Sequence, residues 1–185
     1  MLCAAACSVF ARARTADNCG PNPGIRLTGA STHQAGTAWR QVNTSSDLPY
    51  GTGDASFQAA GGVDGLRKLV DNFFDRMGSD ERFATIHAMH PEDRETSRDK
   101  LARFLCGWLG GPKLYNEKYG AIGIPRVHAH LPIGTAERDQ WLTCMTESVA
   151  EQAFVSDFKT YLMEQLYVPA EAVRRRCAGN PGVTG

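Results

Sequence analysis

Long apolar runs, an excess of charge of one sign and paired cysteine motifs are all missing from this sequence. No apolar stretch approaches the roughly 20 residues that span a bilayer. The 20 basic residues balance the 20 acidic ones, so the net charge attracts neither nucleic acid nor an anionic membrane surface. The one basic run, Arg174-Arg175-Arg176, falls at a predicted helix C-terminus, where cations complement the helix dipole. We expect no nucleic acid, no membrane and a cytoplasmic location.

Disulfides are a second missing feature. Six cysteines are present, but none lies in a CxxC pair. Cys106 and Cys144 fall inside amphipathic helical patterns, as small core residues of a reducing compartment do. The spacing therefore disfavours both a disulfide framework and a cysteine zinc site.

Residues 1–48 lack any sustained periodicity. They are rich in small and polar residues, with a turn signal at Asn22-Pro23-Gly24. The first 14 residues carry arginines and no acid, a weak feature of organellar transit peptides. We expect a disordered extension or a start codon placed too far upstream. The remaining chain divides into a domain at 49–178 and a tail at 179–185.

Helical periodicity dominates the domain, and no segment alternates as a strand would. Apolar residues recur every three or four positions on four long segments. The members of these stripes include Leu66, Leu69, Val70, Phe73, Phe74, Met77, Leu101, Phe104, Trp108, Trp141, Met145, Phe158 and Leu162. Thr135 is the predicted N-cap of the third long helix, and Pro169 is predicted to open a short terminal helix. The expected fold is all-α, with four long helices and three or four short ones.

Histidines supply the candidate chemistry. His87 and His90 share a helix face if that segment is helical, and His128 and His130 precede a helix entry. Three interpretations are open from the residues alone. The histidines have no function, or they form a mononuclear metal site, since neutral imidazole suits zinc, copper and iron. In the third, one histidine is the proximal ligand of haem and the aromatic stripes form its pocket.

Four sequence blocks then point to a family. They are PYGTGDASFQAAGG (49–62), AMHPED (88–93), FLCGWLGGPKLYNEKYG (104–120) and HLPIGTAERDQWLTCM (130–145). In this order and spacing the chain resembles the group II truncated haemoglobins over about residues 49–167. The resemblance implies a globin-like two-over-two helical sandwich that encloses haem b (iron protoporphyrin IX).

The proximal ligand follows from the resemblance. The family's proximal histidine lies nine residues after the Tyr of its YG motif and five before the Ile of its IG motif. Counting from Tyr119 and from Ile133 gives His128 in both cases. His130 would point toward solvent or a haem propionate, and Arg126 is a candidate propionate partner.

The distal wall is implied in the same way. The family's indole donor corresponds to Trp141, whose N–H needs a partner once it is buried. Trp141, His90 and Ser97 are the expected ligand-stabilising residues. The cofactor-contacting set implied by the resemblance is His128, Phe74, His90, Ser97, Leu101, Phe104, Leu105, Trp141 and Arg126.

Phe74 is a departure from the pattern. Most group II members carry a tyrosine there, and its phenol donates a hydrogen bond to the bound ligand. A lost hydrogen bond to a charged acceptor is worth about 1.5–3 kcal/mol. We expect oxygen release to be faster by an order of magnitude or more, unless another distal residue substitutes.

The expected function is reversible binding of O2, or of NO or CO, at the haem iron, as in oxygen transport, with an unidentified electron donor as partner. No dedicated catalytic residue is predicted. The alternative is a haem-dependent peroxidase or nitric-oxide-detoxifying enzyme. A third hypothesis is a helical bundle that uses His87, His90, His128 and His130 for zinc, or that binds no metal.

Overall fold

Residues 48–178 are described by the structure, a computed structural model, and within this range every regular element is helical. The predicted extension, apart from Leu48, and the predicted tail lie outside the described residues. The α-helices are α1 (Ala55–Ala59), α2 (Gly62–Ser79), α3 (Ala84–Ala88), α4 (Arg94–Trp108), α5 (Leu114–Tyr119), α6 (Ile124–His128), α7 (Thr135–Ala150) and α8 (Ser156–Ala178). A single 3₁₀ turn, Glu81–Phe83, joins α2 to α3. The all-α prediction is confirmed.

Two helix pairs form the body of the domain. Helix α2 packs on α4, α7 packs on α8, and α2 crosses α7 to join the pairs. The apolar stripes predicted from the sequence meet at this crossing, where Phe73, Met145 and Leu162 are all inaccessible to solvent. This is the expected two-over-two sandwich.

Ion pairs hold α4 against α2 at its outer edge. Arg98 donates to the main-chain oxygen of Asp71 at 2.9 Å and to the Asp75 carboxylate at 2.6 Å. Arg67 joins Asp71 on its own helix to Glu95 on α4. Asp93 caps α4 by accepting the N–H of Thr96 at 3.0 Å. These contacts hold α4 on α2, and α5 packs on α4 as well.

Glycine is required where the chain before α1 crosses the end of α4. Gly110 has a φ of 92°, and a Cβ there would lie 1.8 Å from the carbonyl oxygen of Gly53. At Gly111 a Cβ would lie 2.5 Å from the ring of Phe57. Phe57 in turn donates its N–H to the carbonyl of Leu109 at 3.0 Å. The two glycines therefore let the N-terminal part of the domain seal the end of α4.

Two local predictions were wrong. Pro169 lies inside α8 instead of opening a new helix. The proline removes one main-chain hydrogen bond from the helix. The buried stripe of α8 nevertheless continues on both sides of it, and α8 packs against α6. The members of this stripe are Leu166, Ala170, Val173 and Cys177.

The N-cap of α7 is Gly134, and Thr135 is already helical. The carboxylate of Glu137 accepts the N–H of Gly134 at 2.8 Å, so the acidic residue of the first turn supplies the cap. The short helix α1 had no sequence signal.

No helix within residues 48–178 is both long enough and apolar enough to cross a membrane.

Candidate functional site

His128 ends the short helix α6, and prolines limit that helix on both sides. Pro125 occupies its first turn, where a missing N–H costs nothing, and Pro132 follows the end. The His128 side chain is 1% exposed. Because α6 packs on α8, its one histidine is directed into the protein. His128 is the only histidine among residues 48–178 that is fully buried.

Hydrogen bonding fixes the tautomer of His128. Its Nδ1 lies 2.6 Å from the carbonyl oxygen of Ile124. A carbonyl only accepts, so Nδ1 carries the proton and Nε2 carries the lone pair. Nε2 is buried and has no hydrogen-bond partner among the described residues. A buried polar atom without a partner is costly, and a lone pair held in a fixed direction is what a metal ligand requires.

Burial also keeps this imidazole neutral. Removal from water lowers the pKa of His128 to about 4, although its bond to the Ile124 carbonyl acts in the opposite direction. An unprotonated ring is needed for coordination, because a protonated one has no lone pair to donate. His128 is therefore in the correct charge state at neutral pH.

His130 and Arg126 lie in a different environment. Both side chains are exposed, one on each side of His128 in the chain. Neither directs an atom into the core, so His130 does not compete with His128 for an internal ligand position. Their exposure agrees with the predicted places at a pocket rim, and their contact with propionates stays a prediction.

An aromatic row joins three of the predicted distal residues. The edge of His90 meets Phe74 with ring centroids 5.3 Å apart, Phe74 meets Phe73 at 5.4 Å, and Phe73 meets Trp141 at 5.5 Å. All three pairs are edge-to-face, with interplanar angles from 62° to 85°, a favoured arrangement of such rings. On its other side, Phe74 lies 5.5 Å from the guanidinium of Arg98.

His90 has the same tautomer as His128. Its Nδ1 lies 2.8 Å from the carbonyl of Ile86 and must carry the proton. Burial lowers the pKa of His90 to about 3, so the ring is neutral and Nε2 can accept a hydrogen bond but not donate one. Trp141 differs, because its indole N–H is a permanent donor.

Helix α4 has few contacts with the second half of the domain. Within residues 48–178, α4 packs on α2 and α5 and makes no comparable contact with α6, α7 or α8. One face of α4 carries four of its residues, at positions i, i+4, i+7 and i+11. Its members are Ser97, Leu101, Phe104 and Trp108.

Burial along α4 is uneven. Phe104 and Trp108 stack with their ring centroids 6.2 Å apart and stay half-buried. Leu105, the remaining predicted wall residue, is 1% exposed and belongs to the core behind the stripe. The Ser97 hydroxyl donates to the main-chain oxygen of Asp93 at 3.3 Å.

An apolar cavity lies between α3, α7 and α8. It contains both His90 and Trp141 among its lining residues. The full lining is Ile86, Met89, His90, Leu131, Ile133, Glu137, Arg138, Trp141, Ala170 and Val173. Leu131 and Ile133 belong to the loop that follows His128, so His90 and Trp141 share this cavity with that loop, whereas Ser97 does not line it.

The zinc hypothesis lacks the geometry it needs. Between residues 48 and 178 no three His, Cys, Asp or Glu side chains come together to hold a metal ion. His87, His90, His128 and His130 therefore do not form a shared site in this structure.

Comparison with known proteins decides the family. Residues 55–174 match the bacterial-like globin family. The chain belongs to this family. The group 2 truncated hemoglobin YjbI of Bacillus subtilis is 30% identical over 105 residues, which cover 57% of this chain and 77% of that protein.

Solved structures place the globin in the group II branch. The group II 2-on-2 hemoglobin of Agrobacterium tumefaciens superposes with a TM-score of 0.63 at 30% identity, covering 70% of this chain and 96% of that one. The truncated oxygen-avid haemoglobin of Bacillus subtilis superposes with a TM-score of 0.58 at 29% identity, covering 64% of this chain and 97% of that one. The resemblance stated from the sequence is confirmed.

Membership of this family implies haem binding, and the residues of this globin fit the group. The buried lone pair of His128 Nε2 lacks a partner, and one face of α4 carries the apolar and aromatic side chains of Leu101, Phe104 and Trp108. A flat apolar macrocycle with one open axial position matches both features.

Two contacts at the site were missed by the sequence analysis. The thiol of Cys177 on α8 donates to the carbonyl of His128 at 3.2 Å, and Arg98 covers the ring of Phe74. Each pairing joins residues far apart in the chain. No local signal marks such pairs, although the placement of Cys177 on the stripe begun by Leu166 predicts that it is buried.

Proposed function

We propose that residues 49–178 form a globin domain that binds haem b and holds its iron through Nε2 of His128, leaving one position for O2 or another diatomic ligand. The observation that carries the proposal is the buried, partnerless Nε2 of His128, whose ring is fixed by the Ile124 carbonyl. Haem supplies an iron with an open coordination position. The chain supplies the axial nitrogen, the apolar enclosure and the hydrogen-bond donor.

Enclosure is the first contribution of the protein. The α4 stripe with Leu101 and Phe104 on one side, and the loop with Leu131 and Ile133 on the other, would exclude water from a bound macrocycle. Exclusion of water strengthens each electrostatic contact inside the pocket. The exposure of Arg126 and His130 supports a role for both at a rim where propionates would meet solvent.

Trp141 is the proposed ligand-stabilising donor. Its side chain is 5% exposed and lines the cavity with His90. Among the three residues predicted to stabilise a ligand, only Trp141 has a donor that is not committed to the main chain. The hydrogens of His90 Nδ1 and Ser97 Oγ are directed to carbonyl oxygens. We therefore assign the donation to Trp141 and a shaping role to His90.

Oxygen affinity is proposed to be moderate. Phe74 offers no hydroxyl, so one donor fewer faces the ligand than in a pocket with tyrosine. The similar Bacillus subtilis protein is described as oxygen-avid, a property we do not extend to this chain because of Phe74. Reversible binding with rapid release is the behaviour we propose.

The test of haem binding is an absorption spectrum of the full chain, purified and supplied with haem. Spectra are taken in the ferric state, after dithionite reduction, and after addition of carbon monoxide. A Soret band that shifts at both steps is expected from a histidine-held haem with an open position. A chain that stays colourless in the presence of haem contradicts the proposal.

A second candidate function uses the same site as an enzyme that consumes peroxide or nitric oxide. One observation favours it: His90 is held neutral with an unprotonated Nε2 beside the cavity, so it can accept a hydrogen bond from a bound peroxide and orient it. Turnover well above that of free haem, lost in His90→Leu, is the expected sign of this activity. Turnover no faster than that of free haem removes it.

A further inference from the structure

The carbonyl of His128 has lost its helical partner. In a continuing helix it would accept the N–H of residue 132, but residue 132 is a proline and has none. Leu131 compensates in part, since its N–H donates to this oxygen at 2.9 Å. The carbonyl has a second lone pair, and one donor from another helix reaches it.

That donor is the thiol of Cys177. Its Sγ lies 3.2 Å from the His128 oxygen, across 49 residues of sequence. The Cys177 side chain is 2% exposed, near the end of the α8 stripe that packs on α6. This thiol on α8 therefore reaches the carbonyl at the end of α6 from a different helix.

Two bonds then fix two different parts of one residue. The bond from Nδ1 to the Ile124 carbonyl fixes the plane of the His128 ring. The bond from Cys177 fixes the main chain that carries the ring. A rotation of the main chain at His128 would change the direction of Nε2 even if the ring kept its bond to the Ile124 carbonyl. Helix α6 has only five residues, so it offers little resistance to such a rotation.

We propose that Cys177 is a positioning residue for His128: its thiol closes the C-terminal end of α6 and so holds the direction of Nε2. The proposal rests on the proposed function, in which Nε2 holds the haem iron. It assigns Cys177 no contact with the cofactor. Its effect reaches the site only through the His128 carbonyl.

The experiment compares Cys177→Ser with Cys177→Ala in the full haem-loaded chain. Serine keeps a donor on the same carbon, and alanine differs from serine only by losing it. The matched control is Cys144→Ala, because Cys144 is equally buried and its Sγ lies 3.6 Å from the carbonyl of Phe73 on α2. The control loses a buried thiol at a site away from α6.

Two readouts report on the iron–nitrogen bond. One is the rate of haem transfer to excess apomyoglobin, and the other is the iron–histidine stretching frequency in resonance Raman spectra of the reduced, ligand-free protein. Cys177→Ala should release haem about two- to tenfold faster, the effect of one hydrogen bond, and should shift or broaden the stretching band. Cys177→Ser should stay near wild type on both, and Cys144→Ala should lower the thermal midpoint without moving the band.

An unshifted band and wild-type haem release in Cys177→Ala would overturn the proposal. Equal effects in the serine and alanine variants, or a band shift of the same size in Cys144→Ala, would also overturn it. If Cys177→Ala does not fold, Cys177→Val takes its place, since valine fills the space without a donor. Failure of the proposed function is distinguishable, because the wild-type protein itself would then show no iron–histidine band.

Discussion

Replacing Phe74 with tyrosine restores the hydroxyl that most group II relatives carry and should slow oxygen release. The Phe74 side chain is 4% exposed, and its ring contacts both His90 and the guanidinium of Arg98. A phenol at this position would donate toward a bound ligand that carries partial negative charge. Such a bond is worth about 1.5–3 kcal/mol, so oxygen dissociation should slow by about 10- to 100-fold at 1.4 kcal/mol per factor of ten.

The same hydroxyl should stabilise the bound ligand but destabilise the folded, ligand-free protein. In a buried ring environment without a partner, it costs about 1–3 kcal/mol of unfolding free energy. Phe74→Tyr should therefore unfold at lower urea concentration in the absence of ligand. Phe158→Tyr is the matched control, because Phe158 is fully buried among Tyr50, Phe154 and Tyr161 instead of His90. It should lose stability without changing oxygen release.

Stopped-flow mixing of the oxygenated protein with dithionite measures the release rate, and carbon monoxide release provides the comparison. Carbon monoxide carries little charge, so a hydrogen bond should slow its release far less than that of oxygen. An unchanged oxygen rate in a folded Phe74→Tyr protein would refute the placement of Phe74 beside the ligand. Equal slowing for both gases would show a steric obstruction in place of a hydrogen bond.

Two further predictions concern stability. Burial raises the pKa of Asp99, but hydrogen bonds from Lys118, Tyr119 and Arg103 outweigh this and lower the pKa to about 2. Because the folded pKa of Asp99 lies below the unfolded one, Asp99→Asn should lower the unfolding free energy by about 1–2 kcal/mol at pH 7. In urea titrations, the difference in unfolding free energy between wild type and variant should disappear as the pH falls from about 4 to about 2. A difference that does not change with pH would refute the ionic origin. Gly111→Ala should lower the unfolding free energy by about 1–3 kcal/mol, since its Cβ would lie 2.5 Å from the Phe57 ring. Gly78→Ala, with no neighbour closer than 3.4 Å, should not destabilise the protein, and equal loss in both variants would contradict the close-approach argument.

The four long helices were predictable because each carries an apolar stripe that must be buried. Elements whose position depends on tertiary contacts could not be predicted from the sequence alone. Helix α1 has too few residues for a periodic pattern, and Phe57 within it is held by the carbonyl of Leu109, 52 residues away. Pro169 normally marks a helix boundary, but the stripe through Ala170 and Val173 is buried on both sides of it, and that burial outweighs one lost hydrogen bond.

The part of the site that follows from the family's motif spacing was predictable from the sequence. Counting from Tyr119 and Ile133 selected His128, and the structure gives that residue the burial and the free lone pair that an axial ligand needs. The tautomers of His128 and His90 were not predictable, since each depends on a carbonyl brought close by a helix of only five residues. Cys177 was not predictable either, because its bond to His128 spans two helices.

The most direct test of the account replaces each of the two neighbouring histidines with alanine and records the reduced, ligand-free absorption spectrum with added haem. His128→Ala should lose the haem or hold it weakly, with the five-coordinate Soret band gone. His130→Ala should keep a nearly unchanged spectrum, since its side chain is exposed. The reverse result, an intact spectrum in His128→Ala and a lost one in His130→Ala, would contradict the assignment of the iron to His128.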